Sequence, residues 1–81
     1  MNVDVLLFAA VRDLAGRSSL TIELPEDADV AQLRQTLAER LPAAKELLNR
    51  SSISVNQRYA TDDQAIQPTD ELALIPPVSG G

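Results

Sequence analysis

The residues best placed to do chemistry in this chain are its last two. The sequence closes on Pro76-Pro77-Val78-Ser79-Gly80-Gly81. Two glycines carry no Cβ, so backbone and terminal carboxylate fit a slot too narrow for any other residue. From Leu72 onward no side chain ionises, which leaves the carboxylate of Gly81 as the one charge on the segment. The apolar stretch Leu72-Ala73-Leu74-Ile75 runs straight into Pro76-Pro77, which cannot continue a strand ladder but keeps the chain extended. Residues 76–81 are therefore expected to form an extended, flexible tail with a reach of at most roughly 20 Å. The alternative is a frayed end without a role, since glycines are tolerated there.

Other chemistry is largely excluded. The chain has no cysteine and no histidine, so it offers no thiolate nucleophile, no imidazole base and no zinc site of the usual ligands. Gly16 is the only internal glycine, and no glycine-rich phosphate loop exists. An ATP-driven reaction would therefore need a partner that binds the ATP, and this chain is expected to bind no cofactor of its own. A formal net charge of −5 works against nucleic acid and anionic membrane and favours a partner with a basic surface. The carboxylate pairs Asp27/Asp29, Asp62/Asp63 and Asp70/Glu71 fall where caps and turns call for such residues, with no calcium-loop spacing. They read as structural, and no metal is expected. The serine pairs Ser18/Ser19 and Ser51/Ser52 have no base to activate them.

The elements that must position the tail follow from periodicity. Eighty-one residues make one small domain, expected over residues 1–75, whose core must be aliphatic because there is one Phe, one Tyr and no Trp. Asn2–Ala10 alternates as a strand, with Val3, Val5, Leu7 and Ala9 on one face and Asp4, Leu6, Phe8 and Ala10 on the other. A short helical turn over Val11–Ala15 stops at Gly16. Ser19–Leu24 alternates again and Pro25 ends it. Asp29 caps the one long amphipathic helix, with Gln32 completing a capping-box-like pair and Val30, Leu33, Leu37 and Leu41 at helical spacing. Pro42 breaks that helix and opens a shorter one. Ile53 and Val55 read as a strand, Asn56-Gln57-Arg58 as a turn, 62–69 as a loop, and Glu71–Ile75 as the last strand. This order predicts an α+β domain with the helix across one face of a mixed sheet and the final strand parallel to the first. That is the β-grasp arrangement of ubiquitin-like proteins.

If Val5, Leu7, Leu72 and Leu74 face the helix, then Leu6, Phe8, Ala73 and Ile75 project to the other side. An exposed apolar patch beside the strand that feeds the tail reads as a docking surface. Phe8, Ile75 and the tail residues Pro76, Pro77, Val78, Ser79 and Gly80 are its expected partner-binding residues. Tyr59 is counted with them, the alternative being that its loop closes over the patch. Arg12 is either an anchor for an acidic group of a partner or a solvated cation.

The segment Phe8-Ala9-Ala10-Val11-Arg12-Asp13-Leu14-Ala15-Gly16, the Val55-Asn56-Gln57 turn and above all Asp70–Gly81 resemble the small, sulfur-carrier subunit of molybdopterin synthase over essentially the whole domain. The resemblance implies that an E1-like, ATP-dependent enzyme adenylates Gly81 and that sulfur replaces AMP to give a thiocarboxylate. The tail would then enter the large synthase subunit, where the thiocarboxylate supplies sulfur for the dithiolene of molybdopterin. Gly81 is thus the expected carrier residue, and the chain alone is expected to be catalytically inert. The start Met1-Asn2-Val3-Asp4 lacks a signal peptide's basic residues and no segment has transmembrane length, so a cytoplasmic location is expected. The other readings are a ubiquitin-like modifier conjugated through Gly81, a sulfur carrier for thiamine or another pathway, and a binding module without a carrier role.

Overall fold

Strict alternation builds the first hairpin. In the computed structural model, which describes residues 1–77, β1 (Asn2–Leu7) buries Val3, Val5 and Leu7 and exposes the residues between them. Antiparallel to it lies β2 (Ser19–Glu23), with Val3 opposite Ile22 and Val5 opposite Leu20. The first strand is shorter than the expected Asn2–Ala10. Leu7 donates to the carbonyl of Ser18 at 2.8 Å, Phe8 stays extended, and Ala9 turns the chain at φ 51° into α1 (Ala9–Ala15). The helix therefore begins two residues before Val11, the one fully buried side chain of α1. Alanines at 9 and 10 prolong the alternating pattern without a turn signal, which is why the pattern overruns the real strand end. Gly16, at φ 72°, terminates α1 in the left-handed conformation and donates to Arg12 O at 2.9 Å.

The long helix, α2 (Val30–Arg40), lays Val30, Leu33 and Leu37 on the sheet. Its first turn is satisfied from two sides. Asp29 Oδ1 accepts the Gln32 N–H at 2.9 Å, while the N–H groups of Val30 and Ala31 donate to the carbonyls of Gln64 and Asp62 at 3.0 and 2.9 Å. Only the Asp29 half of the expected capping box forms, and carbonyls of the 61–66 loop serve the N–H groups of Val30 and Ala31. Pro42 opens a 3₁₀ turn through Ala44, and α3 (Lys45–Arg50) follows.

The remaining strands are β3 (Ser52–Val55), β4 (Arg58–Tyr59) and β5 (Leu72–Ile75). Arg58 belongs to a strand rather than to the turn. Asn56 and Gln57 alone make the reversal, at φ 54° and 69°, the twist a two-residue hairpin requires. Strand order is β2-β1-β5-β3-β4, parallel between β1 and β5 and antiparallel elsewhere. This is the mixed α+β sheet that the order of elements predicts, with the helices on one side. Leu7, Ile22, Leu33, Leu37, Leu48, Ile53, Leu72 and Leu74 are fully enclosed between them, each contributing about 1.5–3 kcal/mol by leaving water.

Candidate docking face and tail base

The sheet face away from the helices is built in rows by strand register. Leu6 pairs with Ala73, Ala73 with Ser54, and Ser54 with Tyr59. Two small residues thus lie between two large ones. Ala73 and Ser54 form a floor that is almost fully buried, and Leu6 and Tyr59 stand as walls, 39% and 74% exposed. Phe8, Gln57, Glu71 and Ile75 complete this groove. One row further along, Ile75 pairs with Ser52, and the β1–β5 register carried past Leu7–Leu74 sets Phe8 beside Ile75. A second groove continues from these two side chains over Ala9, Ala10, Leu47 and Arg50 to Pro76 and Pro77. The docking face and the root of the tail are therefore one continuous surface.

Phe8, Tyr59, Ile75, Pro76 and Pro77 are brought together as lining residues of the two grooves. Tyr59 does not close over the patch; it forms a wall, because β4 carries it up from the sheet edge. Arg12 is exposed on α1 and lines neither groove. Val78, Ser79, Gly80 and the expected carrier Gly81 lie outside the described residues. Arg50, Glu71, Gln57 and Ser54 were not singled out for this face by sequence reasoning. Their placement follows from register, and the one signal in the chain was that Ser52, Ser54, Ala73 and Ile75 share a strand phase.

Two of the carboxylates join segments of the fold. Asp70 accepts from Asn56 Nδ2 and from the Gln67 N–H at 2.9 and 2.8 Å, and Asp62 pairs with Arg34 at 3.5 Å. No group of three potential metal ligands occurs among the described residues. Nor is any of their helices long and apolar enough to cross a membrane.

This geometry coincides with similarity to known proteins along the whole chain. The profile of the ThiS family matches residues 5–81. The molybdopterin synthase sulfur carrier subunit of Arabidopsis thaliana is 36% identical over 81 residues, covering 100% of this chain and 84% of that protein. Among solved structures, the putative molybdopterin converting factor subunit 1 from Pyrococcus furiosus superposes with a TM-score of 0.85 at 34% identity, covering 96% of this chain and 99% of that one. SAMP1 of Haloferax volcanii, a small archaeal modifier protein, superposes with a TM-score of 0.87 at 28% identity over 100% of both chains.

Proposed function

The chain belongs to the ThiS family, and from that premise we propose that it is the sulfur carrier subunit of molybdopterin synthase, bearing a thiocarboxylate on Gly81. The observation that carries this reading is full-length similarity to a curated sulfur carrier subunit at 36% identity, within a family match that includes the closing residues. The chain contains no thiol, so any sulfur it transports resides on the terminal carbonyl.

A carboxylate is a poor electrophile. An E1-like activating partner joins the Gly81 carboxylate to the α-phosphorus of ATP, with loss of pyrophosphate, and so gives the carbonyl a good leaving group. A sulfur nucleophile then forms the C–S bond as the C–O bond to AMP breaks. In the large synthase subunit the sulfur passes to a pterin precursor to build the dithiolene, and water restores the carboxylate. The carrier supplies the acyl group and the docking face; the catalytic side chains and the ATP site belong to its partners, and it works in the cytoplasm, where ATP is available. Phe8, Tyr59, Ile75, Pro76 and Pro77 bind the partner, and Val78, Ser79 and Gly80 lead Gly81 into its active site.

A second reading, a modifier joined to target lysines through Gly81, is favoured by the superposition on SAMP1 over the full chain. Intact mass after co-expression with the pathway partners separates the two. Replacement of one oxygen by sulfur is the expected outcome. A ladder of protein conjugates without that gain overturns the carrier reading.

A further inference from the structure

The outer sheet face carries opposite charges at its two ends. Glu71, Ala73 and Ile75 share a strand phase, so Glu71 lies at one end of the groove and Ile75 at the other, four residues or about 13 Å apart at strand rise. The β1–β5 register carried one residue back from Val5–Leu72 sets Asp4 beside Glu71, and Asp4 takes its one hydrogen bond from Thr21 Oγ1 at 2.6 Å. At the other end α3 finishes at Arg50, two residues before Ser52, the register partner of Ile75. Arg50 thereby borders Pro76 and Pro77. Glu71 and Arg50 are both exposed. Among the described residues the ion pairs are Met1–Glu26 and Arg34–Asp62, so no other described residue forms an ion pair with Glu71, Asp4 or Arg50.

An apolar groove alone does not fix direction: a partner ridge fits it either way round, and the wrong way points the tail away from its receiving channel. Charges at the rim discriminate, since like-charge juxtaposition is costly and complementary charges set register and association rate more than affinity. We propose that this face is a polarised docking surface for the protein that receives the tail. That partner presents a basic side chain over Glu71 and Asp4, an apolar side chain in the Ala73 groove, and an acidic side chain over Arg50. The inference deepens the carrier reading and rests on it.

The test is the association rate of the full chain with the large molybdopterin synthase subunit of the same organism, at low and high salt. Glu71→Lys and Arg50→Glu each slow association about tenfold at low salt, with the difference shrinking as salt rises. Glu71→Gln shows a smaller loss of the same kind. Glu39→Lys on α2, away from this face, changes net charge as Glu71→Lys does and leaves the rate near wild type. The double variant Glu71→Lys/Arg50→Glu keeps the wild-type net charge and is slower than either single variant. If the wild-type chain forms the complex and the double variant, with an unchanged thermal unfolding curve, associates at the wild-type rate, the polarity is wrong and the carrier reading stands. If the wild-type chain forms no complex, the carrier reading falls and this inference with it.

Discussion

Asn56 and Asp70 clamp the β3–β4 turn to the entrance of β5. Asn56 Nδ2 donates to Asp70 Oδ1 at 2.9 Å, and Asn56 Oδ1 accepts the N–H of Glu71, also at 2.9 Å. The backbone repeats the link, with the Asn56 N–H donating to Glu71 O at 2.8 Å. One side chain thus fixes the turn that raises Tyr59 and the strand start that carries Glu71. It does so from φ 54°, a conformation asparagine tolerates better than most residues.

Asn56→Ala removes both side-chain bonds and leaves a Cβ in the left-handed region, with an expected cost of about 2 kcal/mol. Asn56→Gly loses the same bonds but relieves the backbone, and its cost in urea unfolding is expected to be roughly half. Equal losses would show that the clamp, not the backbone conformation, sets the stability of this turn.

The two faces of β5 respond oppositely to charge. Leu74 is fully enclosed, and Leu74→Asp buries a carboxylate without a partner, destabilising the domain by more than about 4 kcal/mol. Phe8→Asp and Ile75→Asp, on the outer face, leave thermal unfolding within about 1 kcal/mol of wild type and weaken binding of the large subunit at least about tenfold. Calorimetry and titration on the same preparations check both halves.

Arg34 joins three segments at once. Its Nη1 donates to the carbonyls of Leu48 and Ser51 at 2.7 and 2.6 Å, closing the C-terminal end of α3, and its Nη2 lies 3.5 Å from Asp62. Arg34→Ala is expected to cost about 3 kcal/mol, since hydrogen bonds from a charged donor are worth about 1.5–3 kcal/mol each. Asp62→Asn, which removes only the exposed ion pair, is expected to stay within about 0.5 kcal/mol. Denaturant midpoints of the two variants measure the difference.

Deleting Gly81, or adding a residue after it, is expected to abolish sulfur transfer in a reconstituted synthase while large-subunit binding persists. One residue moves the reacting carbonyl by about 3.3–3.6 Å, as far as the whole near-attack separation. Single-turnover product formation, with the new terminus verified by mass, reads the outcome.

The core was legible because its information is local. Alternation at Val3, Val5 and Leu7 and helical spacing at Val30, Leu33 and Leu37 assign the buried face whatever the rest of the chain does. The beginning of α1 was not, since Ala9 and Ala10 suit strand and helix alike and tertiary closure over Val11 decides between them. Edge strand β4 escaped notice because two residues are too few for a period and its hairpin turn lacks the glycine that marks such turns. At the docking face Phe8 and Ile75 were readable as apolar residues of the wrong phase for the core. The groove itself was not, because its depth depends on Ala73 and Ser54 being neighbours, a fact of register between strands some twenty residues apart in sequence. Glu71 read only as a structural carboxylate at the head of the last strand, as its place at the groove end exists only after β5 docks on β1.

Strand β5 is held on both sides, by β1 running with it and by β3 running against it. A pull on the residues beyond Ile75, such as an enzyme channel exerts when it grips a threaded segment, is directed along the strand axis. Such a load shears two ladders at once and does not peel hydrogen bonds off one after another from an edge. A load applied in this way is transmitted into the centre of the sheet and leaves the hydrophobic core closed.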